Sequence, residues 1–187
     1  MRFFYGVLGL EPEALTLFPE WELLPYETTP PHVELIARRM RSLHRLAERS
    51  RTVLVTSVPA LIQRLLPLSV LSAARLQLGP GTTVERDALI GRLLRLGYRR
   101  GSVVEIPGEF SIRGGIVDIY STAHPDPLRV EFLGDTVESV RLFDTATQKS
   151  TAKLDHAWLL PARELIPPDD RPEGLAPLPP GAEWRGP

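Results

Sequence analysis

The chain has 187 residues, the size of one ordinary domain or two small ones. Apolar residues make up 43% of it and charged residues 24%, the balance of a folded globular protein. The formal net charge of -1, from 22 Lys and Arg against 23 Asp and Glu, argues against a chain built to coat a phosphate backbone. With no cysteine there is no disulfide framework, thiolate metal site or cysteine nucleophile. The histidines at 32, 44, 124 and 156 lack the close spacing of a metal cluster. No apolar run reaches the roughly eighteen residues of a membrane helix, and no signal peptide opens the chain. The expectation is a soluble cytoplasmic monomer without metal or cofactor.

Arginine is strongly favoured over lysine, since Lys149 and Lys153 are the only lysines. Its planar, permanently charged fork suits ion pairs at interfaces. Eight of the 19 prolines fall between Pro161 and Pro187, which cannot hold regular ladders and reads as an extended linker.

In chain order, Arg2–Leu10 reads as an amphipathic helix remnant and Ala14–Phe18 as a short buried strand. A proline-held aromatic loop follows from Phe18 to Tyr26. Pro30-Pro31 opens a helix over Val33–Arg49, with Leu35, Ile36, Met40, Leu43 and Leu46 on one face and Arg38, Arg41, Arg45 and Glu48 on the other. Thr52–Ser57 is a β-branched strand and Pro59–Leu65 a further helix, so the first 71 residues form part of an open α/β layer. From residue 72 the style changes. Leu76–Leu78 reads as a strand, Gly79-Pro80-Gly81 as a turn, and Thr83 as the N-cap of a helix over Val84–Leu96 that Gly97 ends. Strands are then expected at Val103–Ile106, Glu109–Arg113, Gly115–Tyr120, Leu128–Leu133 and Thr136–Phe143, the last two joined at Gly134-Asp135. Residues 72–160 therefore form an α+β unit, one helix on an antiparallel sheet, expected to fold alone, and 161–187 form the linker. The fold class is α/β plus α+β.

No phosphate-binding loop is present, since the chain has no Gly-Lys pair, and Gly108-Glu-Phe-Ser-Ile-Arg-Gly-Gly115 has its glycines between strands. Asp118 and Glu131 suggest a carboxylate pair, but are better read as surface acids balanced by arginines; His124 sits in a His-Pro-Asp-Pro turn. The feature that stands out is the strand Leu128–Leu133. Alternation sends Leu128, Val130 and Phe132 to the core and Arg129, Glu131 and Leu133 to the other face, within reach of Arg113 beside Gly114-Gly115. That face is either solvated or a recognition patch, interfaces favouring arginine with apolar neighbours. Arg38-Arg39-Met40-Arg41 with Arg45 reads as a solvated helix face or as a contact to duplex DNA phosphates.

Phe18-Pro-Glu-Trp-Glu-Leu-Leu-Pro-Tyr-Glu27, Pro31-His32 and Val53–Pro67 resemble the opening part of the bacterial transcription-repair coupling factor family. Gly97-Tyr-Arg99, Gly108-Glu-Phe110, Arg113-Gly-Gly-Ile-Val-Asp-Ile-Tyr120 and Arg129-Val-Glu-Phe-Leu-Gly-Asp135 resemble that family and the excision-repair helicase UvrB alike. UvrB's own P-loop and tyrosine-rich hairpin have no counterpart here. The resemblance implies a UvrB-like module that has lost its ATPase elements and whose small α+β domain binds UvrA, the damage-recognition ATPase. It implies a non-enzymatic chain excised from a longer ATP-dependent DNA translocase, whose other domains meet RNA polymerase and DNA. The family's UvrA-contacting arginines fall on Arg113 and Arg129, with the acid on Glu131. The next contact position, usually phenylalanine, is Leu133, which buries less area.

Overall fold

The computed structural model describes residues 15–22, 31–48, 52–164 and 166. The expected helix at Arg2–Leu10, the later part of the aromatic loop and most of the proline-rich tail lie outside the described residues.

The first elements are a strand β1 (Leu15–Phe18), a helix α1 (Val33–Ala47) and a strand β2 (Val53–Thr56). β1 and β2 pair in parallel, Leu15 opposite Val53 and Phe18 opposite Thr56. A parallel pair requires a crossover, and α1 lies between the two strands in sequence. His32 caps α1, its Nδ1 accepting from the Glu34 N–H, and Glu34 adds negative charge to the first turn. Ala37, Met40 and Leu43 form its buried face.

One helix was expected next, but two are present, α2 (Val58–Ile62) and α3 (Leu68–Ala74). Ser57 caps α2 through its hydroxyl to the Ala60 N–H. Pro67 cannot continue a helix but can precede one, and it stands as the N-cap of α3.

The remaining chain builds β3 (Leu76–Leu78), helix α4 (Arg86–Arg95), β4 (Arg99–Arg100), β5 (Glu109–Arg113), β6 (Ile116–Ile119), β7 (Leu128–Leu133), β8 (Thr136–Phe143), β9 (Ser150–Leu154) and β10 (Ala157–Leu159). β4 to β9 form one open six-stranded sheet in sequence order, antiparallel except for the parallel β4–β5 pair. The fold is thus mixed α/β, a small parallel sheet beside a larger, mostly antiparallel one. β3 pairs antiparallel with β10, so the strands before and after the large sheet lie side by side.

Three local expectations are corrected. Thr83 does not cap α4. It forms a bridge to Thr136, and Glu85 occupies the cap position without a side-chain hydrogen bond to the helix. Val103–Ile106 is not a strand, because the Glu109 carboxylate accepts from the N–H groups of Glu105 and Ile106 that a ladder would use. Its place at the sheet edge is taken by β4, whose Arg99 N–H reaches the Gly108 carbonyl. β9 and β10 were not foreseen.

Gly97 does end α4. Its φ of +90° admits the left-handed turn in which Gly97 N–H reaches Leu94 O and Tyr98 N–H reaches Leu93 O. Leu89, Leu93 and Leu96 belong to the same core cluster as Phe110, Val117, Ile119, Leu128, Val130, Val137 and Val140 of the sheet. That cluster runs without a break into Phe18, Met40 and Leu43. Tyr98 lies in it fully buried, its hydroxyl donating to the Leu160 carbonyl, and burial pushes its pKa up to about 12.

Candidate functional site

The outer face of the six-stranded sheet follows from its register, because directly paired residues on neighbouring strands share a face. One row runs Ser111, Asp118, Arg129, Arg141, Lys153 and the next Arg113, Ile116, Glu131, Ser139. Alternation sends the neighbours Phe110, Val117, Ile119, Leu128, Val130 and Val140 into the core. A bulge between Glu131 and Phe132 shifts the register at the far end of β7, and Leu133 beyond it is 74% exposed. Arg113, Arg129, Glu131 and Leu133 thus share the outer face of one sheet, as alternation required, with Arg113, Glu131 and Leu133 toward one end and Arg129 one row further in.

Their arrangement is asymmetric. Asp118, expected at the surface, has a side chain only 1% exposed and lies between the two arginines. Arg113 Nη2 donates to Asp118 Oδ2 at 2.6 Å. Arg129 donates to the same carboxylate twice, Nε to Oδ1 at 2.7 Å and Nη2 to Oδ2 at 2.9 Å, and its Nη1 reaches the Gln148 carbonyl at 3.1 Å. These bonds hold the Arg129 guanidinium more firmly protonated than usual. Its central carbon also stands 4.7 Å from the centroid of Phe143, a buried ring outside the main core cluster. The Arg129 side chain is consequently 14% exposed, against 54% for Arg113. Glu131 has other partners, accepting from the Ser139 hydroxyl at 2.5 Å and lying 3.6 Å from Arg141 Nη2. Asp118 and Glu131 are therefore occupied with separate arginines, which argues against an acid–base pair.

Asp118 and Arg141 were not singled out as members of this patch. The signal for Asp118 was available, since it occupies the outward phase of the strand between Val117 and Ile119. For Arg141 the signal was its place in the expected strand β8, and its register against Arg129 is visible only once the bulge is located.

The helix-face reading of Arg38 to Arg45 needs correction. Arg39 is fully buried and bonded bidentately to Glu164, Nε to Oε1 at 2.5 Å and Nη2 to Oε2 at 3.1 Å, and its Nη1 reaches the carbonyl of Pro19. Phe18 and Trp21 lie against its guanidinium, 4.2 Å and 5.1 Å away at their ring centroids. Arg41 donates to the Thr122 carbonyl, which ties α1 to the loop after β6, and Arg45 reaches the Thr16 hydroxyl. Arg38 is exposed. His124 accepts from the Trp158 N–H at 3.2 Å, a structural task. Among the described residues no group of three or more His, Cys, Asp or Glu is placed to hold a metal ion, and no helix is long and apolar enough to cross a membrane.

Comparison with known proteins places this face in context. Residues 76–165, which contain the whole six-stranded sheet, match the UvrB interaction domain family. Transcription-repair-coupling factor of Myxococcus xanthus is 39% identical over 173 residues, 91% of this chain and 14% of its own length. Those of Bacillus subtilis and Escherichia coli are 36% and 35% identical over 84% and 78% of the chain, each covered to 13% of its own length. The chain therefore spans only a small part of these relatives, and the match brings no catalytic domain with it. With a match to the UvrB interaction domain and relatives 35–39% identical over 78–91% of its length, the chain belongs with the transcription-repair-coupling factors, as a homologue of their N-terminal region.

Proposed function

We propose that the outer face of the six-stranded sheet is a docking surface for UvrA, and that the chain is a non-enzymatic recruiting module of transcription-coupled nucleotide excision repair. The homology supports a role in that repair with a protein partner. The observation that carries the finer reading is the pairing of a half-exposed Arg113 on a buried carboxylate with the exposed apolar Leu133 at the same sheet end. A partner carboxylate meeting Arg113 gains a charge-assisted hydrogen bond, and an apolar side chain over Leu133 excludes water from it. In this reading RNA polymerase and DNA are met by other parts of the longer protein.

The test is binding of the purified chain to purified UvrA by biolayer interferometry. Truncating a hot-spot arginine costs about 2–4 kcal/mol, so Arg113→Ala should weaken binding by at least about tenfold without lowering the melting temperature. Undiminished binding by that variant would place the interface elsewhere. The rival reading, duplex DNA held by the Arg38–Arg45 helix, has less support, since Arg39, Arg41 and Arg45 all have partners within the chain. It would show as DNA affinity falling steeply with salt and lost in Arg38→Ala.

A further inference from the structure

Arg113 and Arg129 carry equal weight in the sequence pattern, and the structure separates them. A guanidinium has five N–H donors. Arg129 directs Nε and Nη2 to Asp118 and Nη1 to Gln148, its central carbon lies over the Phe143 ring, and its side chain is only 14% exposed, so little of it is left for another molecule. Arg113 gives Asp118 a single nitrogen and keeps most of its fork toward solvent. The register explains how one carboxylate serves both: Asp118 stands directly opposite Arg129, while Arg113 pairs with Ile116, two residues before Asp118 on the same strand. Resting on the docking reading above, we propose that Asp118 is the positioning residue of this surface, with Arg129 as its brace, and that together they hold Arg113 in the orientation the partner meets. A long side chain ordered before the encounter loses less freedom on binding, which raises affinity without a new contact. Asp118, 1% exposed, touches no partner and acts only through Arg113.

A double-mutant cycle on the full chain tests this, with UvrA affinity as readout. Asp118→Asn keeps the shape and removes the charge. Alone it should weaken binding by about tenfold, and added to Arg113→Ala it should cost less than about twofold more. Effects that multiply, or an Asp118→Asn chain that binds normally, would overturn the positioning role. A second measurement on the unaltered chain guards against a variant that does not fold. Arginine side-chain NMR should show guanidinium rotation slowed at Arg113 and Arg129 relative to the exposed Arg38, and rotation at Arg113 as free as at Arg38 overturns the proposal. Absence of any UvrA binding by the unaltered chain sinks the docking reading and this inference with it, whereas intact binding with no coupling sinks the positioning role alone.

Discussion

Arg39 shows how far a side chain can depart from the face its neighbours suggest. It sits in a run of arginines on an amphipathic helix, yet its guanidinium is enclosed by Phe18, Trp21 and the Glu164 carboxylate. Glu164 is also the acceptor of the Trp21 indole N–H, so one acid gathers α1, the loop after β1 and the segment after β10. Removing one member of such a buried pair leaves the other charge without compensation. Arg39→Ala should destabilise the chain by about 3–5 kcal/mol in urea unfolding, against less than about 0.5 kcal/mol for Arg38→Ala. Similar midpoints for the two variants would refute this account of Arg39. Sequence pattern cannot find such a pair, because Arg39 and Glu164 stand 125 positions apart and period alone assigns Arg39 to a helix face. The sheet face was legible for the opposite reason. Period-two alternation in Leu128–Leu133 depends only on neighbours along the strand, so Arg129 and Glu131 could be assigned to one face without knowing the fold.

At the scale of elements, turns were read well and polar edges poorly. Gly134 takes φ +61° in the β7–β8 turn, and Gly97 takes +90° after α4, the conformations that glycine makes accessible. At Gly97 two costs combine, since a Cβ would stand 2.7 Å from Arg163 Cγ besides straining the backbone. Gly97→Ala should lower stability by about 1 kcal/mol or more in thermal unfolding, whereas an unchanged melting temperature would show that the α4 turn is not under this constraint. β9 escaped notice because Ser150–Leu154 is an edge strand, exposed along most of its length, whose alternation is carried only by the small Ala152 and by Leu154 and is too short to stand out. Lys153 lies on that edge, a charge of the kind that discourages pairing with another chain. β10 is short, and its role is defined only by β3, some 80 positions earlier, an example of a long-range pairing that local pattern does not encode.

Across the whole molecule, the elements before and after the large sheet meet at Trp158. Its ring lies edge-on to His44 of α1 at 5.3 Å and 4.7 Å from the Arg75 guanidinium carbon, while its backbone N–H rests on His124. Burial pushes both histidines below the ordinary imidazole value. His44, Arg41 and His156 lower His124 further, and Arg75 and Arg45 lower His44 against the opposing pull of Glu48. Folded values below the unfolded one mean that the unfolded chain binds more protons in between. Stability is then fully present above about pH 6.5 and is lost as pH falls through the folded values. Urea unfolding should show a lower midpoint at pH 5 than at pH 7.5, and His124→Gln, which keeps an acceptor without the charge, should narrow the difference. An equal pH dependence in the two proteins would remove His124 from the account. The boundary read after residue 71 falls inside α3, whereas the family match begins at 76, at the start of β3. We propose that position as the start of the second unit.

The pairing of β3 with β10 also has a mechanical meaning. Leu78 lies opposite Ala157 on the side leading to the sheet, and Leu76 opposite Leu159 on the side leading away from it. Tension between the sheet and the Glu164 anchor on α1 therefore pulls both strands in the same direction and divides between two covalent chains. It neither shears the ladder nor peels it from one end, so the hydrogen bonds of this seam are spared the load that a pull across a hairpin would place on them.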